Sequence, residues 1–202
     1  GAYRCGCKRR SSITMEVSSV VFPRTAITRL GIAPLTSMFW YSEANRRQGT
    51  DWRPEIHDND GLALWTGAGE RIWRPLNNPH NVMTNSFFDN NPRGFGLLQR
   101  DRNFDHFQDD GAYYDRRPAL WVEPLGEWGE GAVQLVEIPT NDEIHDNIVA
   151  YWVPKADVTP GSRWAVDYRL RWVDQEPYPQ EQIARVVGTW IGRSGIPGQE
   201  KG

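Results

Sequence analysis

Trp164, Val166, Tyr168, Leu170 and Trp172 alternate with Arg163, Ala165, Asp167, Arg169 and Arg171. A period of two over about ten residues gives one apolar and one largely charged face, which a strand can sort and a helix cannot. Ile13, Met15 and Val17 alternate with Thr14, Glu16 and Ser18 in the same way. Shorter runs predict strands over residues 70–76, 83–88, 94–99, 119–123, 132–138 and 148–153. Turn formers separate them: Asn77-Asn78-Pro79, Asn90-Asn91-Pro92-Arg93-Gly94, the stretch 126–131 and Thr159-Pro160-Gly161. Many short strands with regular turns predict an all-β, antiparallel sandwich or barrel and exclude a sheet built from βαβ units. One short helix is expected over 25–30, stopped by Gly31 and Pro34. After Pro177 the pattern changes. Residues 181–187 are expected to form a helical turn, and 177–202 read as a linker or docking segment.

A chain of 202 residues can bury a sizeable core. The net charge of -3, with signs mixed along the chain, gives no basic face for nucleic acid. Lys8-Arg9-Arg10 is too short to alter that and reads as a solvated turn. No stretch approaches the ~18 apolar residues of a membrane span. The chain begins at Gly1 without a Met, as an excised or incomplete piece would, so a missing signal segment says little about compartment. Cys5 and Cys7 are the only cysteines. A Cys-x-Cys pair without a second pair is a poor metal half-site, leaving a strained local disulfide or two bystander thiols.

The long irregular segments are 41–60, 100–118 and 140–147. Loops of this length in a compact β domain are usually functional or disordered. Arg53-Pro-Glu-Ile-His-Asp-Asn-Asp-Gly61 crowds Glu55, Asp58 and Asp60 around His57. Acids packed this closely repel one another unless a cation, a sugar hydroxyl or a proton transfer uses their charge. The competing reading is an Asx-turn into the strand after Gly61. A calcium loop is excluded by pattern, because Gly61 is followed by Leu62-Ala-Leu-Trp-Thr66 without the required acids. His57 reads as a donor orienting a carboxylate. Thr140-Asn-Asp-Glu-Ile-His-Asp146-Asn147 again gathers Asp142, Glu143, His145 and Asp146; plain hairpin chemistry is the competing reading.

Two separated carboxylates are what glycoside hydrolysis needs, one to protonate the leaving oxygen and one to activate water or attack. Aromatic rings supply flat faces for sugars. Trp40, Tyr41, Trp52, Trp65, Trp73, Tyr113 and Tyr114 are available. Those predicted on strands have core packing as the competing reading, so Trp52 and the Tyr113–Tyr114 pair are the better binding candidates. Arg100-Asp-Arg-Asn-Phe-Asp-His106 suits the wall of a sugar subsite, against the reading of a solvated ion-pair loop. No phosphate loop, nucleophile elbow or metalloprotease helix is present.

These residues bring a resemblance into view. The chain resembles the osmoregulated periplasmic glucan biosynthesis proteins G and D of Gram-negative bacteria. The resemblance runs over Gly1-Ala-Tyr-Arg4, Leu30-Gly-Ile-Ala-Pro-Leu-Thr-Ser-Met38, Arg53-Pro-Glu-Ile-His-Asp58, Gly69-Glu70, Ile72-Trp-Arg-Pro-Leu-Asn-Asn-Pro79 and Asn91-Pro92. It continues through Gly94-Phe-Gly-Leu-Leu-Gln-Arg100, Arg117-Pro118, Trp121-Val122, Val136-Glu-Ile-Pro-Thr140 and Asp146-Asn-Ile-Val149. Cys5-Gly-Cys7-Lys-Arg-Arg10 and the tail from Gly188 depart from it.

The resemblance implies a galactose-mutarotase-like β-sandwich. Residues 1–176 would form the C-terminal half of a large glucan-acting domain, and 177–202 a linker toward an absent immunoglobulin-like domain. A half sandwich exposes edges and core faces, so the isolated piece is expected to be aggregation-prone and inactive. The parent protein would be periplasmic and exported by a signal peptide. Its ligand would be a β-glucan polysaccharide, with no nucleic acid, no membrane span, and room for contact with a membrane glucan synthase. The activity implied is hydrolysis of β-1,2-glucan with inversion. The family's two catalytic aspartates fall on Asp58 and Asp146 and its tyrosine on Tyr114. Asp58 is written as acid and Asp146 as base, an order the residues do not fix, with Tyr114 relaying a proton. Trp52, Glu55, His57, Asp60, Trp65, Arg100, Tyr113 and Glu143 are expected to bind substrate, with no metal and no cofactor. Asp60 and Trp65 stand in a stretch closer to the D type. The alternative is a non-catalytic glucan-binding or scaffold protein of the same pathway.

Overall fold

The computed structural model describes residues 1–9, 13–178, 184–186 and 188–190. Thirteen strands carry the described fold. They are β1 (Ala2–Arg9), β2 (Ile13–Val21), β3 (Ile32–Ser37), β4 (Phe39–Tyr41), β5 (Ile56–His57), β6 (Gly61–Trp65) and β7 (Arg71–Pro75). The rest are β8 (Met83–Asn90), β9 (Gly94–Leu98), β10 (Ala119–Leu125), β11 (Glu130–Glu137), β12 (Ile148–Pro154) and β13 (Trp164–Val173). Seven form one sheet in the order β1-β2-β13-β10-β9-β6-β7, and four form a second in the order β3-β12-β11-β8. β4 and β5 make a small ribbon of their own. All pairings are antiparallel, and neither sheet closes into a barrel among the described residues.

The two sheets face each other across one core. Val17, Leu62, Leu64, Phe95, Leu97, Val122, Val166 and Tyr168 come from the large sheet. Leu35, Val133, Leu135, Ile148, Ala150 and Trp152 meet them from the small one. The alternation that predicted the strands selects these residues: on β6, Leu62 and Leu64 point into this core while Ala63 belongs to a cluster on the outer face. The charged face of β13 becomes a ladder across neighbouring strands. Arg169 lies opposite Glu16 and pairs with it at 2.7 Å, and Arg171 reaches Glu123 at 2.7 Å.

The outer face of the large sheet is also covered. Trp121 is fully buried there with Ala63, Leu98 and Ala119, flanked by Trp65 and Trp73. Its ring can lie flat on β9 because Gly94 and Gly96 have no side chains: a Cβ on Gly94 would stand 2.4 Å from the indole. Arg71 and Arg100 lie over Trp65 and Trp73 at 3.8 and 3.6 Å. Glu176 then pairs with both arginines, drawing the chain after β13 across this face.

Several expectations are corrected. Residues 25–30 form no helix; Ile27 instead makes a bridge to Val158. Six residues ended by Gly31 are too few for local propensity to resist a backbone hydrogen bond from a distant segment. The backbone of Lys8 and Arg9 is not a turn but part of β1, which pairs with β2 throughout; Arg10 lies outside the described residues. Of the two readings left open for Cys5 and Cys7, the structure has free thiols, both exposed, and no disulfide between them. Of the expected turn over 181–187, only 184–186 are described, and they are not helical. No helix among the described residues is long and apolar enough to cross a membrane.

Gly94→Ala is expected to cost about 1–3 kcal/mol in urea unfolding, because the added methyl must displace the Trp121 ring from a packed cluster. An unchanged unfolding midpoint would show that the ring is not held there.

Candidate active site

Two acid-bearing loops are fastened to the same short stretch of backbone. The Asp58 N–H donates to the Met38 carbonyl at 2.9 Å, directly after β5, where His57 pairs with Phe39. Asn59 next to it accepts from the Ser37 hydroxyl at 2.9 Å. From the other side, Asn147 accepts from the Phe39 N–H at 2.8 Å and donates to the Phe39 and Ile138 carbonyls, each at 2.9 Å. Asn147 is 2% exposed, so these bonds are sheltered from water. Asp58 and Asp146 are thereby held on either flank of residues 38–39. Beneath them lies a small apolar cluster of Met38, Tyr41, Ile56, Phe107 and Tyr114, separate from the sandwich core.

Asp58 is partly sealed. Its Oδ1 is buried and accepts no hydrogen bond. Arg117 stands 3.5 Å from that oxygen, an ion pair too long to be a hydrogen bond. Burial pushes the Asp58 carboxyl above its ordinary range, the charge of Arg117 pulls it back, and the charge of Asp146 pushes it up again. Asp58 therefore senses the charge of Asp146. Asp146 itself is exposed on its loop.

Tyr114 joins this pair to a second set of acids. It sits in a 3-10 turn over Tyr114–Arg116, and its hydroxyl donates to Glu143 at 2.5 Å. Burial, that bond and the charges of Glu143 and Asp58 together hold the phenol far above its usual range. Glu143 is lowered, first by Arg53, whose fork meets both its oxygens at 2.9 Å. Tyr114 therefore keeps its proton and Glu143 stays ionised. Arg53 also binds Asp51 at 2.9 Å and Asp109 at 2.5 Å. One planar guanidinium with five donors can hold three carboxylates where a lysine could not.

The other expected site residues divide. Glu55 and His57 are buried and bonded to each other at 2.9 Å. Burial raises the Glu55 carboxyl against the pull of His57, while for His57 the bond and charge of Glu55 outweigh burial and hold it charged more readily. Asp60 accepts the N–H groups of Arg100 and Asp101 at 2.9 Å each, so it fixes the turn after β9. Trp52 is 71% exposed and Tyr113 42%, the latter with a left-handed backbone at φ 53°. Trp65 lies at the far end of β6, four residues or ~13 Å of strand from Gly61, stacked under Arg71 and Arg93. Arg100 is taken up by Glu176, the Val186 carbonyl and the Trp73 ring. The structure thus gathers Asp58, Asp146, Tyr114 and Glu143 and directs Trp65 and Arg100 to the outer face of the sheet.

Arg53 and Arg117 were not among the expected site residues. Their signal was present in sequence: each is a cation standing before a proline, Arg53 within a stretch otherwise rich in acids. Glu55, Asp101 and His106 bring possible ligand atoms within 4.8 Å of one another. Glu55 is also bonded to His57, and Asp101 to His106 at 2.5 Å.

Comparison with known proteins bears on this geometry. The family model described as "Periplasmic glucan biosynthesis protein, MdoG" matches residues 1–202. The chain is 61% identical over 201 residues to "Glucans biosynthesis protein D 2" of Ralstonia nicotianae, covering 100% of this chain and 37% of that protein. It is 58% identical to "Glucans biosynthesis protein D" of Stenotrophomonas maltophilia, covering 100% of this chain and 38% of that protein. It is 55% identical to "Probable glucans biosynthesis protein D" of Shewanella oneidensis, covering 100% and 37%. The chain thus spans less than two-fifths of the length of these relatives.

Arg117→Ala is expected to move the Asp58 carboxyl titration to higher pH, since it removes the cation that opposes burial. NMR titration of the side-chain carboxyl reads this directly. A midpoint that stays or falls would show that the ion pair does not act on Asp58.

Proposed function

Because the chain belongs to the periplasmic glucan biosynthesis protein family, we propose that its two strapped loops form the acid/base centre of a hydrolase cleaving β-1,2-linked glucan with inversion. The observation that carries this reading is the pair Asp58 and Asp146. They arrive on separate loops, are fixed to one stretch of backbone, and are close enough for one charge to raise the other's carboxyl. Inverting hydrolysis uses two carboxyls about 6.5–9.5 Å apart, with a water between base and sugar. A carboxyl raised by burial holds its proton nearer to neutral pH, as a general acid requires.

Tyr114 extends the reach of the pair. Its hydroxyl is tied to the ionised Glu143 and senses the charge of Asp58. A neutral phenol can accept a proton from one water as it gives its own to the next, so it would pass the attacking water's proton through a second water to the aspartate that serves as base and end neutral. Glu143 and Arg53 position it. Glu55 and His57 stiffen the strand that carries Asp58. Trp52 and Tyr113, exposed on the flanking loops, offer sugar-stacking faces.

On this reading residues 1–176 are the C-terminal half of a larger glucan-acting sandwich and 177–202 lead toward a further domain. The parent protein works in the periplasm, where contact with a membrane glucan synthase would hand it its substrate. The exposed aromatic faces of Trp52 and Tyr113 favour a second reading, glucan binding or scaffolding without turnover.

Reducing-sugar release from linear β-1,2-glucan separates the two. In the full-length protein, Asp58→Asn and Asp146→Asn should each lower turnover about 10²–10⁴-fold with glucan binding retained. A substrate with an activated leaving group should restore the rate only in the variant lacking the acid, which assigns the order of roles. Turnover unchanged in either variant would refute the pair, and binding without any release by the unmodified protein would establish the scaffold reading.

A further inference from the structure

A cavity of about 370 Å³ opens beside β4, lined by Trp40, Gln48, Thr50, Asn78, His80 and Asn141, with Pro79, Pro139 and Thr140 completing its wall. It lies within the size range of small-molecule sites, ~300–1,000 Å³. No function described above uses it. Its wall is continuous with the aspartate loops on two sides. Residues 139–141 open the loop that carries Glu143 and Asp146, and Trp40 follows directly on residues 38–39, to which both aspartates are strapped. Along a strand this is only ~3–7 Å of backbone.

The cavity is built. Asn78, 8% exposed, spends its whole amide on the two walls: its nitrogen donates to the Trp40 and Thr140 carbonyls at 3.0 and 2.7 Å, and its oxygen accepts from the Thr140 N–H at 3.0 Å. The distance between β4 and the acid loop is thereby fixed at the cavity. Along β4, Phe39 and Tyr41 are buried, and Trp40 between them is half-buried, packed on one side against the cluster of Met38, Tyr41 and Ile56. Tyr41 meets the indole edge-on at 5.3 Å and is itself anchored through its hydroxyl to the Arg53 carbonyl. The indole is therefore a held platform. Around it stand the neutral amides of Gln48 and Asn141 and the Thr50 hydroxyl, with the His80 imidazole beside them, all exposed.

A flat aromatic face ringed by amide and hydroxyl donors and acceptors suits a neutral hexose, whose ring has an apolar face and a hydroxyl rim. It does not suit a phosphate, for which no lining residue supplies a lysine or arginine. We infer that this cavity is a distal subsite that holds a glucosyl unit of the same glucan chain on which Asp58 and Asp146 act, with Trp40 as the stacking platform. The inference rests on the reading of the chain as glucan-acting. It makes the length of chain gripped by the protein, and so the size of the products, depend on Trp40.

The test is binding of a length series of linear β-1,2-gluco-oligosaccharides to the full-length protein carrying Asp58→Asn, which prevents turnover during the measurement. Affinity should rise with chain length and gain a step when a unit reaches the cavity. Trp40→Ala should remove that step, a loss of about three- to tenfold for the longer oligosaccharides. Asn141→Ala and His80→Ala, at exposed rim positions that do not threaten folding, should each lower the same step. A length dependence that persists unchanged in Trp40→Ala and both rim variants would overturn the subsite while leaving the aspartate pair standing. Failure of the unmodified protein to bind any length would overturn the glucan-acting reading and the subsite with it.

Discussion

The side chain of Asn147 makes three hydrogen bonds, all to backbone, and two of them go to Phe39. Together with the bond from the Asp58 N–H to Met38, they hold two loops, whose aspartates lie 88 positions apart in the sequence, against residues 38–39 at the start of β4. A buried amide that loses its partners costs about 1–3 kcal/mol, which makes this clasp expensive to open. The sandwich supplies the rigid frame, since residues 38–39 continue directly from β3 in the small sheet and β12 starts one residue after Asn147. The geometry of the acid pair is therefore inherited from sheet pairing and does not depend on the loops finding each other.

Electrostatics follow from that placement. Crowded acids would repel one another and open the loops, but the structure separates them into sets with different counter-charges. Arg53 takes Asp51, Asp109 and Glu143. His57 takes Glu55, and two backbone N–H groups take Asp60. Asp58 is left with Arg117 alone, at ion-pair distance and without a hydrogen bond. Among the acids of the 53–61 stretch it is thus the one whose carboxyl is held by neither His57 nor a backbone N–H, with Oδ1 buried and the side chain 25% exposed. Tyr114, locked protonated by Glu143, is the member of the Arg53 set that senses the charge of this carboxyl.

Much of this was legible in the sequence because burial on one face leaves a mark. β2 and β13 alternate in sequence and their positions follow from that period, while β8, β11 and β12 were marked as short runs set off by turn formers. β4 and β5 carry neither mark: two or three residues are too short for a pattern, and they exist because the loops they belong to pair with each other. β1 was hidden because Lys8-Arg9-Arg10 read as a solvated turn, and only its pairing with β2 makes it a strand. Asp58 and Asp146 could be singled out as acids on long loops. That both dock on Met38–Phe39 could not, since it depends on Asn147, whose role is indistinguishable in sequence from an ordinary turn asparagine. Trp65 and Arg100 look like cleft residues beside their neighbours in sequence. Strand direction carries the one, and the chain after β13 draws the other, to the opposite face of the large sheet.

The most direct test of the account is the anomeric form of the first product. Full-length protein acting on linear β-1,2-glucan, followed by proton NMR before mutarotation, reports which face of the sugar water attacks. Two separated aspartates with a water between them predict the α-anomer as the initial product. Initial release of the β-anomer would mean a covalent intermediate and would contradict Asp58 and Asp146 as an acid/base pair.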